Sequence, residues 1–196
     1  FGFNAGSALA ADGAAGMALF VTHISAATGA LTWMVIEWIK FGKPSGLGAI
    51  TGMVAGLATI TPASGSVGPA GGLLVGLAGG VVCYYATTYL KQNLKIDDSL
   101  DVFPVHGVGG IVGTFLAGVL VSNNLGVFSG NGLADGMTIG SQVGVQVTGI
   151  LMITLANSPG KNLFNIDTVE VIKLMERLVM TLQVAYQING IFLIMF

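Results

Sequence analysis

Residues 14–39 read AAGMALFVTHISAATGALTWMVIEWI, and positions 13–36 hold no Asp, Glu, Lys or Arg. A helix rises about 1.5 Å per residue, so about 20 mainly apolar residues cross the roughly 30 Å hydrocarbon core of a bilayer. This run is long enough. It closes on Glu37, Trp38 and Lys40, the aromatic and cationic pairing of a membrane surface. Similar runs recur along the chain, because 44–90, 102–134 and 136–160 also lack those four residue types. Of the 196 residues, 53% are apolar and 8% charged, with a mean hydropathy of +0.83. A soluble domain carries about 25% charged residues. The fold class that follows is all-α, a polytopic transmembrane helix bundle.

Working outward, residues 1–11 read as the end of a spanning helix closed by Asp12-Gly13. Phe41-Gly42-Lys43-Pro44-Ser45 is a turn, with Ser45 placed to cap the next helix, 45–60, which stops at Thr61-Pro62. A fourth helix covers 69–90, and the polar loop 91–99 carries Lys91, Lys95, Asp97 and Asp98. A fifth covers 101–121, a loop rich in Gly and Asn spans 122–136, and a sixth begins near Met137. Lys40 and Lys43 lie two spans from Lys91 and Lys95, so the two lysine loops share a face. Lys and Arg favour the cytoplasmic side. That places the 61–69 and 122–136 loops outside.

Thirty of the 31 glycines fall within residues 1–160, many of them at i, i+4: Gly2/Gly6, Gly52/Gly56, Gly72/Gly76/Gly80 and Gly109/Gly113. Lipid tails provide no hydrophobic drive between helices, so small residues that let backbones approach closely do that work. Glycine at this density predicts a tight bundle. Residues 161–196 differ, holding six of the 16 charged residues and one glycine, Gly190. Ile172, Met175, Val179, Leu182 and Tyr186 form an amphipathic stripe there. The division expected is a transmembrane domain over 1–156 and a divergent tail over 157–196. A chain that opens at Phe1 inside an apolar segment reads as a fragment.

Several function classes are excluded by what is absent. A net charge of −2 offers no basic footprint for nucleic acid. Cys83, the one cysteine, has no disulfide or metal partner and reads as core packing. The sequence contains no phosphate-cradling glycine loop, no metal-ligand cluster and no nucleophile with a base nearby. No enzyme, metal or cofactor is expected.

An ionisable residue at bilayer depth costs roughly 2.5–3.5 kcal/mol to insert, so it is a functional candidate by default. His106 lies five residues into the helix starting at Asp101, in Asp101-Val102-Phe103-Pro104-Val105-His106-Gly107-Val108-Gly109-Gly110. The three glycines after it are expected to clear space beside the ring. An apolar site disfavours imidazolium, and a neutral imidazole both donates and accepts a hydrogen bond. The alternative is a structural histidine bonded to a neighbouring helix. His23, among Thr22, Ser25 and Thr28, reads as a packing or interfacial histidine. Asp101 starts its helix, where a carboxylate caps backbone N–H groups and meets the favourable end of the helix dipole. Phe3 and Ser7 are i, i+4 and share a face. A ring and a hydroxyl together suit a small cation.

Four strings occur in order: Phe1-Gly2-Phe3-Asn4-Ala5-Gly6-Ser7-Ala8, Gly42-Lys43-Pro44-Ser45, Thr61-Pro62-Ala63, and Asp97 to Gly110. Together they resemble the ammonium transporter (Amt/Mep/Rh) family over about residues 1–150. The resemblance implies eleven spanning helices in two inverted halves, assembled as a homotrimer with one pore per subunit in the plasma membrane. This chain would begin within the sixth helix. By matching motif, Phe3 resembles a phenylalanine of the stacked gate, Ser7 the hydroxyl of the outer ammonium site, and His106 the second of two pore histidines. Asp101 resembles the carboxylate at the cytoplasmic start of that helix, and Asn4, Val102 and Phe103 flank these positions as pore or structural support. Ammonium or ammonia is the implied permeant, and a PII-type regulatory protein on the cytoplasmic face an implied partner. The first pore histidine, the other gate phenylalanine, the outer-site tryptophan and a structural aspartate belong to earlier helices, and His23 does not match that first histidine. Two other readings stand beside transport. One is an ammonium sensor coupled to a cytoplasmic domain, and the other a truncated remnant that does not conduct.

Overall fold

The computed structural model describes residues 1–96, 98–121, 133 and 136–156. All its regular elements are helical: α1 Gly2–Gly6, α2 Gly13–Phe41, α3 Gly46–Ile60, α4 Pro69–Gln92, a π-helical turn Phe103–Val108 that runs directly into α5 Gly109–Leu120, and α6 Ile139–Ala156. Three stretches are long and apolar enough to cross a membrane: α2, α4, and the π-turn with α5. The 15 residues of α3 rise only about 22 Å. Tight turns extend its path, with Ala63 N–H donating to Ile60 O at 2.8 Å and Val67 N–H to Ala63 O at 3.1 Å. The proposed 122–136 loop lies largely outside the described residues, and the 157–196 tail entirely so.

The helix boundaries have local causes. Asp12 is extended (φ −130°, ψ −171°) and its carboxylate accepts from Ala14 N–H at 3.0 Å and Ala15 N–H at 3.1 Å, which starts α2. Gly42 ends it in the left-handed region at φ +73°, its N–H returning to Trp38 O at 2.9 Å. Ser45 caps α3 as expected, accepting from Gly48 N–H at 2.8 Å. Glu37 secures that cap from α2, because Ser45 donates to it through its N–H at 2.6 Å and its hydroxyl at 3.1 Å. Pro69 opens α4, where its missing N–H costs nothing.

The first helix is shorter than its composition implies. It stops at Gly6 instead of running to residue 11. Asp12 must be extended to cap α2, and Leu9 at φ +58° turns the chain toward that cap.

Helices α2, α3 and α4 pack against one another, the π-turn and α5 lie on α3 and α4, α6 lies on α5, and α1 on α2. One buried cluster joins Val21, Ile60, Ala63, Val67, Val75 and Ala117. A second joins Trp33, Ala55, Cys83, Tyr84 and Val105. The Trp33 and Tyr84 rings meet edge to face at 5.1 Å, and Lys40 Nζ lies 4.8 Å and 4.5 Å from the Tyr84 and Tyr85 ring centres. This cation–π contact ties the end of α2 to α4.

Glycine sets the spacing of the bundle. A Cβ on Gly56 would strike the Ser25 carbonyl oxygen, and one on Gly76 would lie 2.5 Å from that same oxygen. Ser25, fully buried, donates its hydroxyl to Gly56 O at 2.8 Å. The Gly2/Gly6 pair behaves differently, since nothing lies within 4 Å of a Cβ at either position. Gly56→Ala is therefore expected to destabilise the protein by about 1–3 kcal/mol through overpacking. Gly16→Ala, whose added methyl meets open space, is expected to be neutral or better. Melting temperatures of both variants in detergent check this, and equal stability would mean that the crossing is looser than described.

Candidate functional site

The segment before the fifth predicted helix forms no simple cap. Asp98 reaches forward, its two carboxylate oxygens accepting from Val102 N–H at 2.9 Å and Phe103 N–H at 2.8 Å. Asp101 lies in the left-handed region at φ +56° and turns its carboxylate away, to Lys91 Nζ of α4 at 2.7 Å. The capping carboxylate is therefore Asp98, and the side-chain capping expected of Asp101 is not observed. The left-handed residue breaks the line of the chain, which brings the earlier carboxylate over the open N–H groups. The Asp101 carbonyl does accept from Val105 N–H at 3.0 Å.

The helix then widens. Phe103–Val108 is a π-turn with Pro104 in its first turn, a local widening that recurs at functional sites. His106 sits inside it, half-buried, and no described residue hydrogen-bonds its imidazole. The expectation that three glycines clear space beside the ring needs correction. Gly110 alone faces open space. A Cβ on Gly107 would lie 3.1 Å from the Phe103 ring, and one on Gly109 would lie 3.0 Å from Thr59 Oγ1 and 3.2 Å from Cys83 Sγ. Gly109 thus serves helix contact. The buried Cys83 thiol lies 3.9 Å from Val105 O, one residue before the histidine. Val102 and Phe103 are both exposed, on the outer side of the turn.

The second group of candidates sits on α1. Phe3 is exposed and Ser7 half-buried. The Ser7 hydroxyl donates to Phe3 O at 2.9 Å, so its hydrogen is committed and its lone pairs are left to accept from a cation's N–H. Asn4 is buried and donates through Nδ2 to Thr22 Oγ1 at 3.1 Å, while Thr22 donates to Ala18 O at 2.6 Å. This relay fastens α1 to α2. His23 is exposed on α2, its ring 5.6 Å from that of Phe1. The α1 residues pack on α2, and the π-turn packs on α3 and α4. Phe3 and Ser7 thus belong to one neighbourhood, His106 and Asp101 to another.

The model of the Ammonium Transporter Family matches residues 1–163. The chain belongs to this family. It is 48% identical over 130 residues to the ammonium transporter Amt1 of Archaeoglobus fulgidus, covering 66% of this chain and 33% of that protein. Against the ammonium transporter of Aquifex aeolicus it is 41% identical over 157 residues, covering 79% and 36%. The crystal structure of Saccharomyces cerevisiae Mep2 superposes with a TM-score of 0.64 at 35% identity, covering 81% of this chain and 40% of Mep2. A structure described as a sensor Amt protein superposes with a TM-score of 0.69 at 26% identity, covering 89% and 40%. The chain therefore spans between 33% and 40% of the length of these relatives, and its helical arrangement is that of the Amt/Mep transporters.

Sequence reading of this family member passed over Asp98, Lys91, Glu37 and Cys83 as working side chains. The signal available was position: Asp98 stands four and five residues before the N–H groups it caps. Asn4 and Thr22 offer a test of the geometry. Hydrogen bonds between membrane helices average about 0.6 kcal/mol in double-mutant cycles. Asn4→Ala and Thr22→Val, measured singly and together by unfolding in mixed micelles, are expected to show coupling of about that size. Strict additivity would count against the bond.

Proposed function

We propose that this chain forms part of a pathway for ammonium nitrogen across a multi-pass membrane protein of the plasma membrane. The observation that carries the reading is His106. It is an imidazole in a widened helical turn, within a stretch long and apolar enough to cross a membrane, with the open Gly110 position one turn on. Ammonium is attracted to the Phe3 ring face and the lone pairs of Ser7. Moving a bare cation into an apolar conduit is costly, so the ion loses a proton there and ammonia continues along neutral imidazoles that include His106. Potassium and sodium have no proton to shed and are excluded. The names of the relatives support the permeant, and the family membership supports transport over catalysis.

The assembly reading goes with it. Residues 1–156 are the transmembrane domain, 157–196 a divergent tail whose first residues, to 163, still match the family model, and the complete protein is a homotrimer whose cytoplasmic face takes a PII-type regulator. A second reading is favoured by one comparison, the similarity to a sensor Amt protein. In that case the membrane part binds ammonium and a cytoplasmic domain signals. A folded cytoplasmic domain and ligand binding without flux would distinguish it.

The experiment is methylammonium uptake by the complete protein carrying His106→Ala. Uptake is expected to fall at least tenfold, or exclusion of potassium to be lost. If rate and selectivity both match the parent, the role assigned to His106 is wrong.

A further inference from the structure

The run from Asp98 to His106 is attached to α4 at two points. At its start, Asp101 pairs with Lys91 Nζ at 2.7 Å; one residue before His106, Val105 O meets Cys83 Sγ at 3.9 Å. Lys91 and Cys83 are eight residues apart on the same helix, a separation of about 12 Å along its axis. A span of that length, pinned at both ends to one rigid rod, fixes how many residues the intervening backbone must accommodate. The backbone there is irregular in two ways. Asp101 takes a left-handed conformation that residues other than glycine rarely adopt. The helix that follows carries the wide turn Phe103–Val108. Each irregularity persists only where neighbouring structure holds it.

The consequence for the imidazole is geometric. A π-turn holds one more residue than an α-turn over the same loop of backbone. Collapse of the wide turn to regular α-helix shifts the register by one residue, a rotation of about 100° and a displacement of about 1.5 Å. His106 lies within the affected turn, so its ring would shift relative to the α3 and α4 surfaces on which that turn packs. Asp98 does not prevent this alone, because its hydrogen bonds are local to the segment. Among the described residues, the Lys91 pair is what anchors the left-handed residue to another helix.

We propose that Lys91 is a positioning residue for His106, acting through its ion pair with Asp101 to hold the wide turn in register. This rests on the transport reading given to His106. Lys91 touches no permeant. It makes the difference between an imidazole held where the wide turn sets it against α3 and α4 and one displaced from that place.

The test uses the complete protein in cells, with methylammonium uptake normalised to the amount in the membrane. Lys91→Met is expected to reduce the maximal rate at least fivefold with KM within twofold of the parent, because Phe3 and Ser7 on α1 are untouched. Lys91→Arg, which keeps the pair, is expected to retain more than half the rate. If Lys91→Met does not reach the membrane, the exchange variant Lys91→Asp with Asp101→Lys is measured in its place, and recovery of uptake by the reversed pair is the expected result. Parent-like uptake in Lys91→Met overturns the proposal. So does equal loss in Lys91→Met and Lys91→Arg, a raised KM at unchanged maximal rate, or failure of the exchange variant to recover. His106→Ala is measured in parallel. If it is silent, the transport reading fails, whereas an impaired His106→Ala beside a normal Lys91→Met removes the positioning role alone.

Discussion

The whole arrangement hangs on how near α2, α3 and α4 come to one another around Ser25. Its backbone carbonyl faces Gly56 on one helix and Gly76 on another, and its hydroxyl donates to the Gly56 carbonyl at 2.8 Å. Within lipid, burying apolar surface against another helix gains little over burying it against acyl chains. Dispersion must then supply the difference, and a gap of 0.5–1 Å already forfeits about a quarter to a half of each contact. Only hydrogen at the glycine positions keeps the gap closed. The first buried cluster reflects the same constraint, being built from Val, Ala and Ile, whereas the second adds the Trp33 and Tyr84 rings.

Polar groups are settled in a way that leaves the close packing in charge. Thr22, Thr28, Thr59, Thr88 and Thr114 each donate to the carbonyl four residues back on their own helix, at 2.6–2.9 Å. Such bonds satisfy a hydroxyl without choosing a neighbour. Polar side-chain contacts between helices among the described residues include Asn4 with Thr22, Ser25 with Gly56, Glu37 with Ser45, Lys40 with the Tyr84 and Tyr85 rings, Lys91 with Asp101, and the contacts of Cys83 with Thr59 and Val105. Two of these, from Lys91 and Cys83, converge on the stretch from 101 to 105. Irregular backbone at membrane depth is tolerated where protein encloses it or a cavity adjoins it, and here the irregular stretch carries the histidine.

Much of this was legible beforehand, for reasons that differ by residue. The long spans followed from charge-free runs, since nothing but a bilayer or a buried core accepts them. Ser45 and Pro69 announced helix starts because capping and the missing proline N–H act within one turn. Gly52, Gly56, Gly72, Gly76 and Gly109 announced close approach through their spacing, whereas Gly2 and Gly6 have the same spacing and contact nothing. The failures cluster where the outcome depends on a partner distant in sequence. Asp101 looked like the cap because it stands next to the helix, and Lys91, ten positions back, draws its carboxylate away. The wide turn was illegible for the same reason. Its stretch scans as helix, and the contacts that meet it from α4, Lys91 with Asp101 and Cys83 with Val105, come from residues 10 and 22 positions back.

The site's exposure follows from the same packing. Along the π-turn and α5, Pro104, Val105, Gly109 and Gly113 turn inward, while Val102, Phe103, Ile111 and Phe115 turn outward. His106, half-buried, stands at the border between these sets. The exposed apolar side chains on this outer face can lie against acyl chains at no cost, but an imidazole that no described residue hydrogen-bonds cannot do so cheaply. Gly110 beside it offers no bulk to screen it from whatever adjoins that face. If acyl chains filled the space, a polar ring without a hydrogen-bond partner among the described residues, next to a residue without a side chain, would be an unfavourable choice. Occupation by water, by a small polar permeant, or by further polypeptide removes the penalty. The relatives are about twice as long as this chain, so polypeptide to close that face exists in the family.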